Sequence, residues 1–413
     1  MTVEALLTSG APQRSYFPLR QRTGTAAFHL SREAVDFGQE DLERLTERDA
    51  VRLVAQAMWC SFTEMPCPHC GTIDTHYWRN RELRWKCKCC DKTFSVTSGT
   101  VFHDRKLSLR KILKIAYSWA NGASGKPALQ LRRDWNVAYA TAFTLVHKLR
   151  EGLARGFNTG VLAGTNEMDG MDVIGRRYRE KRNKPLGGGS APKPKLPEHL
   201  LKPKVDSDTG EVIGPPKPPK FGKAARQPAD RRLLLVMRRR GLSKGKGASD
   251  TRVAVAMTES TSTVCTMAQR FASAESAILS DEDPAYASFG RLFREHRTVN
   301  HSKGYSDRKG TSNNLAESFN ARMRRLVEGI YLNPSGKYLH SYAAEGAWRE
   351  DCRRLSTGKK LRNLLSFALG VGVSSWWRGY THGQHRDTEQ LIDGERPATG
   401  RGRPKGWRPK PPR

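Results

Sequence analysis

Apolar and polar positions along the chain predict helices first and strands later. From Asp41 to Met58 the apolar residues Leu42, Leu45, Val51, Leu53, Val54 and Met58 are scattered among charges, and the stretch reads as a helix. Residues 107–155 keep a helical period: Leu109, Ile112, Ile115, Ala116 and Trp119 mark one face, with Ser108 as N-cap. Asn121 to Gly125 breaks that helix. Pro127 suits the first turn of a second helix, running to about Asp134. A third runs from about Tyr139 to Leu153, with Phe143, Val146 and Leu149 inward. From Asn166 the pattern shortens to strands. Glu167–Gly175 alternates loosely, Leu233–Arg238 and Val253–Met257 are short apolar runs, and Ala277–Ser280 follows a helix at Thr263–Ala274. Asn313–Val327 and Lys337–Leu355 read as helices, and Leu361–Gly379 is apolar and aromatic, with Trp376 and Trp377.

Two stretches have no such pattern. Arg176 to Asp230 holds ten of the 22 prolines, the run Gly187–Gly189 and many Lys and Arg. Such a segment buries too little apolar surface to offset its ordering entropy, so a disordered basic insertion is expected there. The last 25 or so residues are polar and basic, and disorder is expected there as well. The organisation read from these shifts is multidomain α/β. It comprises an N-terminal helical region (1–62), a cysteine-rich module (63–105), a helical region (106–160), an α/β domain (161–356, interrupted by 176–230) and a C-terminal helical and basic tail (357–413).

Charge narrows the function. The 413 residues carry 72 Lys+Arg against 41 Asp+Glu, a formal net charge of +31. So much like charge points to a polyanionic partner. No run approaches the ~18–20 apolar residues of a membrane span, and the first residues lack a basic-then-apolar signal. A soluble intracellular protein is expected.

Eight cysteines are present, five of them between Cys67 and Cys90. Cys67-Pro-His-Cys70 and Cys87-Lys-Cys-Cys90 form two C-x2-C knuckles separated by sixteen residues. Two such knuckles bring four thiolates to tetrahedral corners, the geometry of a structural Zn²⁺. Cys89 offers an alternative to Cys90, but Cys87 with Cys90 makes the better knuckle and leaves Cys89 spare. Trp78, Trp85 and Phe94 supply a small apolar cover. The three helices that follow, with their Gly-containing break, read as a helix-turn-helix whose third helix starts near Tyr139 and Thr141. Lys106, Arg110, Lys111, Arg132, Arg133, Lys148 and Arg150 are then available for phosphates. A plain helical linker with a basic face is the alternative. Gly400-Arg-Gly-Arg-Pro-Lys-Gly406 looks like an AT-hook, with Arg401 and Arg403 for an A·T minor groove. A generic basic tail would read the same way.

Against so basic a background, carboxylates in apolar settings stand out. Asp169 and Asp172 lie in Glu167-Met-Asp-Gly-Met-Asp, Asp281 ends a predicted strand, and Glu317 sits in a helix 35 intervening residues later. Carboxylates at strand ends plus one on a later helix can converge on divalent metals, Mg²⁺ or Mn²⁺, that act on a phosphodiester.

Residues 66–102, including Ser-Val-Thr-Ser-Gly-Thr100, resemble the zinc ribbon of a family of bacterial insertion-sequence transposases, the ISXO type. Glu167-Met-Asp169, Ser280-Asp281-Glu282, Asn300-His-Ser-Lys-Gly304 and Asn314-Leu-Ala-Glu317 are similar to its successive motifs, and Glu345–Arg354 to its closing helix. The resemblance implies a DDE-type, ribonuclease H-like mixed-sheet domain. It implies Asp169, Asp281 and Glu317 as the metal triad, with Asn314 an open alternative to Glu317, and DNA contacts at His301 and Lys303. Arg324 stands where the family usually has Lys, and would contact phosphate. Strand cleavage and 3′-hydroxyl transfer at element ends are implied, on double-stranded DNA, with a homo-oligomeric synaptic complex in the bacterial cytoplasm at the nucleoid. A non-catalytic, DNA-binding transposase relative is the rival expectation.

Overall fold

The computed structural model describes residues 28–174, 231–241, 247–299 and 312–397, together with two strand segments at 202–205 and 212–217. The helix expected over 41–58 is two helices, α1 (Gln39–Arg44) and α2 (Glu47–Trp59). Thr46 divides them because it serves as an N-cap and takes an extended backbone. Its hydroxyl accepts from the Asp49 N–H at 3.2 Å, and the Asp49 carboxylate accepts from the Thr46 N–H at 3.1 Å.

The cysteine module follows as β1 (Met65–Pro66) paired with β2 (Ile73–Asp74), then an antiparallel sheet of β3 (Tyr77–Arg79), β4 (Arg84–Lys86) and β5 (Thr93–Phe94). Trp85 is buried at its centre, its ring 4.8 Å from Trp78 and stacked on Phe94. Then come α3 (Leu109–Ala120), α4 (Ala128–Trp135) and α5 (Tyr139–Gly152). Ser108 caps α3 as expected, its hydroxyl accepting from the Lys111 N–H. The Glu47 carboxylate of α2 adds a second cap, accepting from the N–H groups of Leu109 and Arg110 at 2.5 and 3.1 Å.

The α/β part opens with β6 (Thr165–Ile174). Within 176–230, expected to carry no ordered element, β7 (Lys202–Val205) pairs antiparallel with β8 (Val212–Lys217). The two short strands flank an Asp- and Gly-containing turn sequence, a local signal that the surrounding prolines hide. The chain continues through β9 (Arg231–Arg240), β10 (Ala248–Ala256), α6 (Thr261–Phe271), β11 (Ala277–Asp281), α7 (Phe289–Leu292), β12 (Glu295–Val299), α8 (Asn314–Arg324), α9 (Gly336–Asp351) and α10 (Thr357–Gly370). One mixed sheet has the order β10-β9-β6-β11-β12. The pairs β10–β9 and β9–β6 are antiparallel, while β11 is parallel to both β6 and β12.

Helices cover both faces of this sheet. Leu233, Leu235 and Met237 of β9 face Val264, Met267 and Phe271 of α6, whereas Leu234 and Val236 face Phe319 and Met323 of α8 and Ala343 of α9. Burial on both sides explains why β9 reads as an unbroken apolar run rather than an alternation.

The end of the chain departs from expectation. Thr388–Leu391 (β13) and Gly394–Pro397 (β14) form a hairpin against the sheet. It is held by the buried pair Glu389–Arg232 and by the Ile392 N–H donating to Val255 at 2.8 Å. The charged residues that make this stretch look solvated are partly internal partners. Helix α10, although it follows the α/β part, packs into the N-terminal core: Leu361, Leu364, Leu365 and Leu369 share one buried cluster with Val54, Trp85, Ile112 and Leu149. Among the described residues, no helix is long and apolar enough to cross a membrane.

Candidate functional site

The four expected cysteines converge. The Sγ atoms of Cys67, Cys70, Cys87 and Cys90 all lie within 4.8 Å of one another. Cys67 to Cys90 is 3.8 Å and Cys70 to Cys87 is 3.6 Å. A tetrahedron with metal–sulfur bonds of about 2.3 Å has edges of about 3.8 Å, so the donor set fits Zn²⁺. The knuckles repeat each other. The His69 N–H reaches Cys67 Sγ and the Cys89 N–H reaches Cys87 Sγ, both at 3.4 Å. Gly71 and Asp91 close the two turns at equivalent positions with positive φ, 76° and 57°. Cys89 is exposed and outside the set, as the spacing predicts.

The second constellation sits where β6 and β11 part. Their parallel pairing runs Ala277–Thr165, Ile278–Asn166, Leu279–Glu167 and then stops. Carried two residues further, the same register sets Asp281 opposite Asp169, on the face covered by α8. Burial and the neighbouring charge of Asp281 push the Asp169 carboxyl up to about 7, so the two feel each other across the gap. Asn320 of α8 donates from Nδ2 to Asp169 Oδ2 at 2.8 Å. Its Oδ1 is buried, the residue being 2% exposed, and has no hydrogen-bond partner among the described residues. Oxygen donors of this kind, carboxylates with an amide carbonyl, suit a hard divalent cation such as Mg²⁺ or Mn²⁺. Glu317 lies one turn nearer the start of α8 and is half-buried; Asn314 is exposed in the first turn and Arg324 is exposed at the last.

The start of α8 is itself fixed. The fully buried Glu167 of β6 accepts from the N–H groups of Leu315 and Ala316, at 2.7 and 3.4 Å, and from Arg240 Nε at 2.7 Å. The roles of Glu167 and Asn320 escape sequence reasoning: each acts through a partner that only the fold brings near. The one sequence signal was the position of Glu167, two residues before Asp169 and on the same face of the strand.

The residues expected at DNA divide. Arg132, Arg133 and Tyr139 are exposed, and Thr141 is half-buried. Lys148 is half-buried on the wall of a cavity of about 1150 Å³ that also takes in Thr141, Arg84 of β4, Lys106, Arg378 and His382. Arg150 is a correction. It is 1% exposed, and its Nε donates to Glu345 Oε2 at 2.7 Å, so it is a core ion pair and not a phosphate contact. Its partner lies 195 positions away. His301, Lys303, Arg401 and Arg403 lie outside the described residues.

Comparison with known proteins gives the class. Residues 209–351 match the ISXO2-like transposase domain, an interval that takes in Asp281 and α8 and begins after Asp169. Over that interval the chain is similar to the insertion-sequence transposases of this family. It is also 29% identical over 177 residues to an uncharacterized protein in transposable element ISH50 of Halobacterium salinarum. That match takes in 40% of this chain and 57% of the relative, so the chain spans little more than half of the curated relative's length. No solved structure matches the chain.

Proposed function

We propose that the protein is a DNA transposase that cuts strands at element ends and joins the freed 3′-hydroxyl to target DNA. The observation that carries this reading is the in-register placement of Asp169 and Asp281 where β6 and β11 separate, with α8 packed over them. The strand order β10-β9-β6-β11-β12, antiparallel in its first three strands and parallel in the rest, supports a ribonuclease H-like domain. In this reading Asp169, Asp281 and a carboxylate from α8, Glu317, hold Mg²⁺ or Mn²⁺; Asn314 is the weaker choice because it is exposed at the helix start.

A bound divalent cation would supply Lewis acidity at the phosphodiester. The protein's own residues prepare for that. Asn320 holds one rotamer of Asp169, and Glu167 with Arg240 ties the first turn of α8 to the catalytic strand. Arg324, exposed at the end of α8, is positioned for a phosphate.

Double-stranded DNA is the proposed substrate and partner. Arg132, Arg133, Tyr139 and Thr141 form the α4–α5 surface for it, in a helix-turn-helix reading, and the basic cavity beside Lys148 continues that surface onto the ribbon. The zinc is structural, since four thiolates leave no open position. A homo-oligomer at paired ends and a cytoplasmic, nucleoid-associated location complete the proposal. The retained carboxylates weigh against a purely regulatory DNA-binding role.

The test is strand transfer with purified protein, oligonucleotides from the DNA flanking its own gene, and Mg²⁺ or Mn²⁺, beside Asp281→Ala. Metal-dependent nicking and joining that vanish in the variant are expected. Binding without cleavage by either protein, across metals and ends, would put the regulatory role in its place.

A further inference from the structure

Asp169 and Asp281 project to the α8 side of the sheet, and the opposite side of the same gap is not empty. Residue 170, directly after Asp169, is glycine. A Cβ there would stand 2.5 Å from Oε1 of Glu259, in the loop between β10 and α6. Glu259 therefore lies against the bare backbone beside Asp169, and no other residue type at 170 would leave that space. Its carboxylate is held in place: the buried Tyr286, five residues past Asp281, donates its hydroxyl to Glu259 Oε1 at 2.6 Å. Asp172, the nearest other acid on this face of β6, is already paired with Arg231. On the α8 side, Asn320 Oδ1 beside Asp169 is buried with no hydrogen-bond partner among the described residues.

We infer that Glu259 is a further acidic ligand of the divalent-cation site at Asp169 and Asp281, delivered from the α6 side of the sheet across Gly170 and steadied by Tyr286. The inference rests on the metal-dependent reading above. The site then draws on both helical layers, α8 through Asn320 and the loop before α6 through Glu259, around the place where β6 and β11 part. Tyr286 is a positioning residue: it touches Glu259 and no reacting group.

The experiment is Mn²⁺ binding to the full chain with its zinc site filled, by titration calorimetry and by the Mn²⁺ electron paramagnetic resonance signal. Glu259→Gln is expected to raise the Mn²⁺ dissociation constant at least about tenfold, and Tyr286→Phe by about tenfold. Gly170→Ala keeps every charge but displaces Glu259, and is expected to weaken Mn²⁺ in the same direction. Glu259 is exposed, so Glu259→Gln is expected to leave the core intact, which an unchanged melting curve checks. If Asp169→Asn and Asp281→Asn weaken Mn²⁺ while Glu259→Gln and Gly170→Ala bind it as wild type does, Glu259 is no ligand and the inference fails alone. If the aspartate variants also bind Mn²⁺ unchanged, the metal site itself is refuted and the inference goes with it.

Discussion

Arg150 of α5 and Glu345 of α9 meet as a buried ion pair, Nε to Oε2 2.7 Å, with both side chains at most 1% exposed. Glu345 also accepts from Tyr331 Oη at 2.6 Å and from Arg349 Nε at 2.8 Å, while the Arg150 guanidinium lies 4.2 Å from the Tyr342 ring centroid. The pair pins the helices expected at DNA to the helix that backs the sheet. Its worth lies in completeness: both charges are desolvated, and neither has water to fall back on. Glu345→Ala strands a buried guanidinium and is expected to cost about 3–5 kcal/mol in denaturant unfolding. Glu345→Gln, which keeps the acceptor for Tyr331, is expected to cost less.

Two carboxylates, Glu345 fully buried and Asp351 half-buried, give stability opposite dependences on pH. Burial works to raise the Glu345 carboxyl, but Arg150 and Arg349 more than reverse it, so it titrates below its ordinary range. Its contribution is present above the usual glutamate pKa and is lost as pH falls through the depressed value. Asp351 goes the other way. Burial pushes it up to about 7, only partly offset by the Thr251 hydroxyl and N–H that it accepts from at 2.7 and 2.8 Å. Its contribution is full below the ordinary aspartate value of 3.8 and is lost as pH rises through about 7. Asp351→Asn is expected to raise the melting temperature at pH 8 relative to wild type, and to leave little of that gain at pH 4. Calorimetric scans from pH 4 to 8 measure the difference.

Zinc removal should be visible optically. Trp85, 1% exposed, shares one buried cluster with Cys67 and Cys87. Chelation, or Cys70→Ser, is expected to shift tryptophan emission to the red and to release one zinc per chain by elemental analysis. Cys89→Ser is expected to keep both the metal and the emission.

Gly152 marks the closest approach of α5 to α10. A Cβ at 152 would lie 2.5 Å from Ala368 Cα and 2.9 Å from its nitrogen, both backbone atoms that cannot swing aside. Alanine would gain about 1 kcal/mol in helix propensity. Overpacking of about 1–3 kcal/mol opposes it and, against backbone, wins. Gly152→Ala is expected to lower the unfolding midpoint, with the far-ultraviolet spectrum unchanged at low denaturant.

What the sequence shows and hides follows from how far each interaction reaches. The cysteine set is legible because two knuckles encode their geometry within four residues each. The helices at 109–153 and the strands at 165–174, 231–240 and 277–281 are legible because period and length are local properties. β12, Glu-His-Arg-Thr-Val, is missed because an edge strand with little buried surface carries no apolar signal. Arg150 and Glu389 read as solvated charges because their partners, Glu345 and Arg232, are more than 150 positions away. At the candidate site, Asp169 and Asp281 stand out against a basic chain. Asn320 and Glu259 do not, since an amide in a helix and an acid in a loop are ordinary until the sheet brings them to one gap.

Helix α10 carries a consequence for the order in which the protein comes into being. The front body of the chain, ribbon and helices together, takes Leu361, Leu364, Leu365 and Leu369 into its own interior. During synthesis the first 160 residues emerge with that slot open, and the whole sheet is made before the piece that fills it. A chain stopped after Arg354 would therefore lose more than its tail: its front body would be left with an apolar trough where α10 belongs. The surface expected to grip DNA becomes whole only after α10 has been made.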